Sequence, residues 1–139
     1  MYRNRIVIFL LTFLVITSSS FAENIFIGMP IVKISEAGIT RISEKLNKQQ
    51  ADNYQCIIVQ EGDKYYWASR QNVELAPLSV GAFTTYIALN GSGLIRIIDK
   101  EYKDMASLMS DTEFSYDYIE FLMIGLRTIT YYGKAIMQY

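Results

Sequence analysis

The sequence predicts an α+β fold, a mainly antiparallel sheet of two hairpins with an N-terminal helix and one or two C-terminal helices. Three observations predict it. Ile39, Ile42 and Leu46 recur at three- and four-residue spacing. The turn strings Glu61-Gly-Asp-Lys64 and Asn90-Gly-Ser-Gly93 are each flanked by aromatic and β-branched runs. Tyr118, Ile119, Leu122, Met123 and Leu126 then return to helical spacing.

The first element along the chain is not part of that fold. Met-Tyr-Arg-Asn-Arg5 is basic, Ile6 to Ile16 is apolar except at Thr12, and the following polar stretch ends on the small residues Ser20 and Ala22. This is the three-part pattern of a secretory signal peptide, read as residues 1–22 with cleavage between Ala22 and Glu23. The apolar run falls short of the roughly 20 residues that a membrane-crossing helix requires. The expectation is one globular domain, residues 23–139, that does not span a membrane and is periplasmic or secreted, most simply in a bacterium.

Within that domain Ser35 is placed to cap a helix over residues 36–50, in which Gly38 costs about 1 kcal/mol relative to alanine. Residues 54–60 and 64–70 read as a hairpin about Gly62 and Asp63, and 78–89 and 94–98 as a second about Asn90 to Gly93. Pro77 fits the entrance of a strand, where its missing N–H removes no ladder bond. Tyr102, Met105, Ala106 and Met109 suit a short helix. A further helix runs from Phe114 to Leu126, with Asp111 or Thr112 as its cap, and Thr128 to Tyr132 has strand composition closed by Gly133.

Charge and composition exclude several classes. Without Arg3 and Arg5, 11 basic residues face 14 acidic ones. A mildly acidic chain lacks the basic surface that displaces counterions from phosphate, so nucleic acid is not an expected partner. A lone cysteine forms no intramolecular disulfide, and Cys56, inside Tyr54-Gln-Cys-Ile-Ile-Val-Gln60, reads as a small buried hydrophobe. The chain has no histidine. That removes the usual base for a serine or cysteine nucleophile and the commonest zinc ligand. No cofactor and no metal are expected.

Four stretches invite a chemical reading. Lys64-Tyr-Tyr-Trp-Ala-Ser-Arg70 alternates Tyr65, Trp67 and Ser69 with Tyr66, Ala68 and Arg70 on a strand. One reading is a core strand whose Arg70 lies at the surface or in a structural ion pair; the other is a recognition strip of aromatic and arginine side chains. Arg96, on an alternate position of Leu94-Ile-Arg-Ile-Ile98, is a second polar contact. Gly91-Ser-Gly93 lacks the spacing of a nucleophile elbow or phosphate loop and reads as a turn, although Asn90-Gly-Ser92 matches a glycosylation sequon. Asp111, Glu113, Asp117 and Glu120 concentrate carboxylates, with the last three sharing a helix face. A solvated helix start explains them better than a calcium loop, whose glycine-centred spacing is missing.

The expected function is binding rather than catalysis. The expected partner is an envelope or extracellular protein, met as an inhibitor, immunity or accessory factor, with glycan as the second class of ligand. Tyr65, Tyr66, Arg70 and Arg96 are the candidate contacts. Two alternatives stand beside this: a small envelope hydrolase using paired carboxylates such as Glu113 and Asp117, and a structural subunit of an envelope assembly, which would carry an exposed apolar strip.

Overall fold

Gly38, Gly62, Gly81 and Gly125 each stand at positive φ as the first residue of a two-residue connection between paired strands. That is the position which a type II′ hairpin reserves for glycine. Four such connections are enough to make the chain a meander. The structure, a computed structural model, describes residues 22–81, 83–99 and 116–137. It contains nine strands and one short helix among those residues: β1 (Glu23–Ala37), β2 (Thr40–Lys45), α1 (Lys48–Asn53), β3 (Cys56–Glu61), β4 (Lys64–Trp67), β5 (Val73–Val80), β6 (Phe83–Ala88), β7 (Gly93–Asp99), β8 (Tyr116–Ile124) and β9 (Arg127–Met137).

Every strand pairing is antiparallel. The order β1-β3-β4-β5-β6-β7-β8-β9 closes through β1 with β9 into an eight-strand barrel, and β2 is the extra strand. The 15-residue β1 makes this possible, because its first half pairs with β3 and its second half with β2, while β9 runs along its other side throughout. A register shift between Pro30 and Val32 marks the change of neighbours. Beyond it, β2, β1, β9 and the end of β8 continue side by side as a projecting flap.

The α+β expectation is thus overturned, and with it both long helices. Gly38 and Ile39 form a hairpin turn, so residues 36–50 are divided among the end of β1, β2 and the start of α1. Ile39 and Ile42 are exposed and only Leu46 is buried, so their spacing marks no common face. The stretch from Tyr116 is β8, with Tyr118, Glu120 and Leu122 inward and Ile119, Phe121 and Met123 on the other face. A strand apolar on both faces offers apolar residues at every spacing, three and four included. Residues 78–89 are two strands turning at Gly81, Pro77 lies within β5 opposite Tyr86, and β9 passes through Gly133 to Met137. The hairpin about Gly62 and Asp63 is present as β3 and β4. The helix expected at Tyr102 to Met109, together with Asp111 and Glu113, lies outside the described residues, as does the apolar N-terminal segment.

The barrel interior is filled by side chains rather than open. Phe26, Cys56, Ile58, Trp67, Leu75, Tyr86, Ile95, Ile97, Tyr118, Leu122, Tyr131 and Ala135 form one buried cluster. Tyr118 lies edge-on to Phe26, with ring centroids 5.4 Å apart. Room for its ring depends on Gly28, where a Cβ would come within 2.6 Å of it. Eight strands enclose an interior of about this capacity. α1 buries none of its own residues: Asn47 and Gln50 form a reciprocal capping box, and it is the flanking Leu46 and Tyr54 that pack against the core.

A candidate site at the mouth of the barrel

Alternation along β8 turns Glu120 inward, opposite Ile95 on β7 and Tyr131 on β9, with no exposed surface. A buried carboxylate must be paired and hydrogen-bonded to remain charged. Trp67, the last residue of β4, donates its indole Nε1–H to Oε1 at 3.0 Å, and Arg70 donates Nη2–H to Oε2 at 2.9 Å. Arg70 follows the strand, so it escapes the strand's alternation. The turn after Trp67 places Gln71 and Asn72 at positive φ and lets the guanidinium fold back over the barrel mouth. There it also donates to the Ser69 carbonyl and lies 5.6 Å from the centre of the Tyr131 ring. Ser69 ties the turn to β3 by accepting the Ile57 N–H at 2.9 Å.

Burial raises the Glu120 carboxyl from 4.5 to about 7, against the charge of Arg70 and the hydrogen bonds from Arg70 and Trp67. Burial also pushes the neighbouring Cys56 thiol well up, reinforced by the Glu120 charge. A thiol so held is not a nucleophile at neutral pH. Tyr118 is likewise raised by burial, and its hydroxyl, like Arg70 Nε, is buried without a hydrogen-bond partner.

Outside this clamp the mouth widens onto the flap. Tyr131 packs on Tyr54, and Lys33 Nζ stands 4.8 Å above the Tyr54 ring. Register then carries Ser35, Ala37 and Ile129 up the same face, with Thr40 and Ile42 from β2. Lys33, Ser35, Glu36, Ala37, Thr40, Ile42, Arg127 and Ile129 line a concavity of about 350 Å³. A second hollow, about 370 Å³, lies on the outer wall near the β1 bulge, among Ile31, Val32, Ile98, Asp117, Ile119, Tyr132 and Lys134. The mouth has the better mixture for specific recognition, two cations, one carboxylate and two hydroxyls around an apolar floor.

The four candidate residues are not brought together. Tyr65 faces the interior, with its ring 5.4 Å from that of Tyr86. Tyr66, opposite Val59 and Glu74, belongs to the outer wall, as does Arg96, whose guanidinium lies 5.9 Å from the Phe83 ring. Only Arg70 reaches the mouth, where it is committed to Glu120. Asp117 and Glu120 occupy opposite faces of β8, so their expected shared helix face is corrected. Among the described residues no cluster of three or more Cys, Asp or Glu side chains is placed to hold a metal ion. Lys33, Tyr54 and Tyr131 were missed, and Glu120, read as part of a solvated acidic helix start, is buried instead. A period of two through Tyr118, Glu120 and Leu122 was the signal for the burial of Glu120. Comparison with protein-family models, curated proteins and solved structures gives no match.

Proposed function

We propose that this is an exported protein that acts by binding, and that the flap at the barrel mouth is its contact surface for an envelope or extracellular protein. One observation carries the reading. Ala37, opposite both Thr40 and Arg127, brings the β1–β2 and β8–β9 turns side by side. Their tips present Ile39 at 105% and Leu126 at 98% relative exposure, beside exposed Ile42 and Ile124. Grouped apolar side chains held in water at one end of a rigid barrel fit a surface that becomes buried on association. The closed, filled interior supports binding at the rim rather than ligand enclosure. Strands as short as β4 and outward Lys64, Glu74 and Arg96 favour a mature domain outside the bilayer, since a membrane strand needs about 9–11 residues with an apolar outer face.

The test is capture from the native envelope by the exported protein, beside Ile39→Asp and Leu126→Asp. Both variants should unfold at the wild-type temperature, because neither side chain is packed, and both should lose the captured protein. Wild-type capture by both would overturn the proposal. A second reading, a subunit of a larger assembly, is favoured by the outer wall, where Ile31, Phe83, Ile87, Met123 and Tyr132 are exposed. In that case Ile87→Ser and Tyr132→Ser would abolish incorporation while the tip variants would not.

A further inference from the structure

A closed barrel has no free strand edges, but among the described residues one strand keeps a whole edge free. Among the described residues β2 is the only strand paired on one side, with β1, and all six of its residues are exposed. The Ala37–Thr40 pair closes the β1–β2 hairpin, so ladder alternation turns the N–H and C=O groups of Arg41, Ser43 and Lys45 away from β1. Those groups form a template for another strand.

We propose that the occupant of this edge is the β2 of a second copy, paired antiparallel about a two-fold axis through Ile42. Among the described residues β2 alone is unpaired along its whole outer edge; β5 also runs past β4 at residues 77–80, but Pro77 offers no N–H there, so strand addition between two copies that leaves the ring closed falls to β2 with β2. That contact is isologous and closes on itself as a dimer. Charge selects the register. A two-fold at Arg41, Glu44 or Lys45 places a like charge against itself, and one at Ser43 sets Arg41 against Lys45 and Ile42 against Glu44. A centre at Thr40 pairs only the start of the strand.

The Ile42 centre opposes Ile42 to Ile42, Arg41 to Ser43 and Thr40 to Glu44, with no like charges facing. It also aligns the outward groups of Arg41 with those of Ser43, and makes Ile42 a non-hydrogen-bonded pair, the closer of the two antiparallel kinds. Charged residues usually guard an edge against pairing. Here they exclude every full-length self-register except one. Exposed Ile42 gains an apolar partner, and Arg41 stays 3.4 Å from Glu36 of its own chain. This inference rests on the β2 edge alone and does not depend on the proposed partner at the mouth.

Sedimentation equilibrium of the exported protein, with register variants, tests it. The wild type should show a reversible dimer. Ser43→Glu, which faces Arg41 across both symmetric pairs, should tighten it several-fold, and Ser43→Lys should loosen it by a similar factor. Under mild oxidation Ile42→Cys should form a disulfide-linked dimer, whereas Ser43→Cys, with no cysteine opposite, should not. A protein that stays monomeric up to about 1 mM overturns the proposal. So does a dimer indifferent to both charge variants, which would place the contact on the outer wall, and so does equal cross-linking at the two positions.

Discussion

Glu120 has no exposed surface, yet both of its oxygens are occupied, one by the Trp67 indole and one by Arg70, whose side chain is itself only 21% exposed. Removing either partner therefore leaves the other without its charge partner inside the barrel. Since burial raises Glu120 from 4.5 to about 7, the folded chain holds this proton more tightly than the unfolded chain. Its contribution to stability is complete below about pH 4.5 and is lost as pH rises through about 7. Urea midpoints should accordingly fall between about pH 5 and pH 8 in the wild type, and Glu120→Gln should flatten that fall. Arg70→Ala should cost about 3 to 5 kcal/mol at pH 8, where it strands a buried carboxylate, and much less at pH 5, where Glu120 is neutral. A cost independent of pH would mean that the pair is not buried as described. The sequence suggested an ion pair for Arg70 as one of two readings. It hid the partner, because Glu120 lies 50 residues away in a stretch read as helix.

At the scale of elements, packing of one aromatic ring links β1, β8 and β9. Tyr118 from β8 occupies space left by Gly28 of β1 and Gly133 of β9. Gly28→Ala should destabilise by about 1 to 3 kcal/mol, because the added methyl meets the ring with no room to yield. In the Tyr118→Leu background the same change should cost less, and additive losses in chemical denaturation would contradict the contact. The short helix α1 is a separate unit. Asn47→Ala removes a capping hydrogen bond of 2.9 Å and should cost about 1 kcal/mol. The β3–β4 hairpin was legible from its glycine, aspartate and flanking aromatics. The β1–β2 and β8–β9 hairpins follow the same rule, but Gly38 was read as a weak point inside one helix and Gly125 fell within the span read as another. Periodicity misled in both places, since β2 is exposed on both faces and β8 is apolar on both, and neither alternates cleanly.

For the whole molecule the decisive contact is non-local. Closure pairs Glu36 with Thr128 and Phe26 with Met137, across about the full length of the folded domain. No local signal announces such a pairing, which is why two hairpins were legible and a barrel was not. The interior was partly readable. Cys56 was expected to be buried and is, and Trp67 is fully buried, as the core-strand reading of its segment required. The mouth was not, because Lys33, Tyr54 and Tyr131 meet Arg70 only once the ring closes. Everything proposed about function depends on that ring, since it aligns the two tips and leaves β2, among the described residues, as the one strand unpaired along a whole edge. Interstrand NOEs in solution test closure most directly. The barrel requires cross-strand contacts between Ile27 and Ile136 and between Ile34 and Thr130, with none of the sequential amide contacts of a helix in 36–46 or 116–126. Helical amide contacts through either segment, without β1–β9 contacts, would contradict the account.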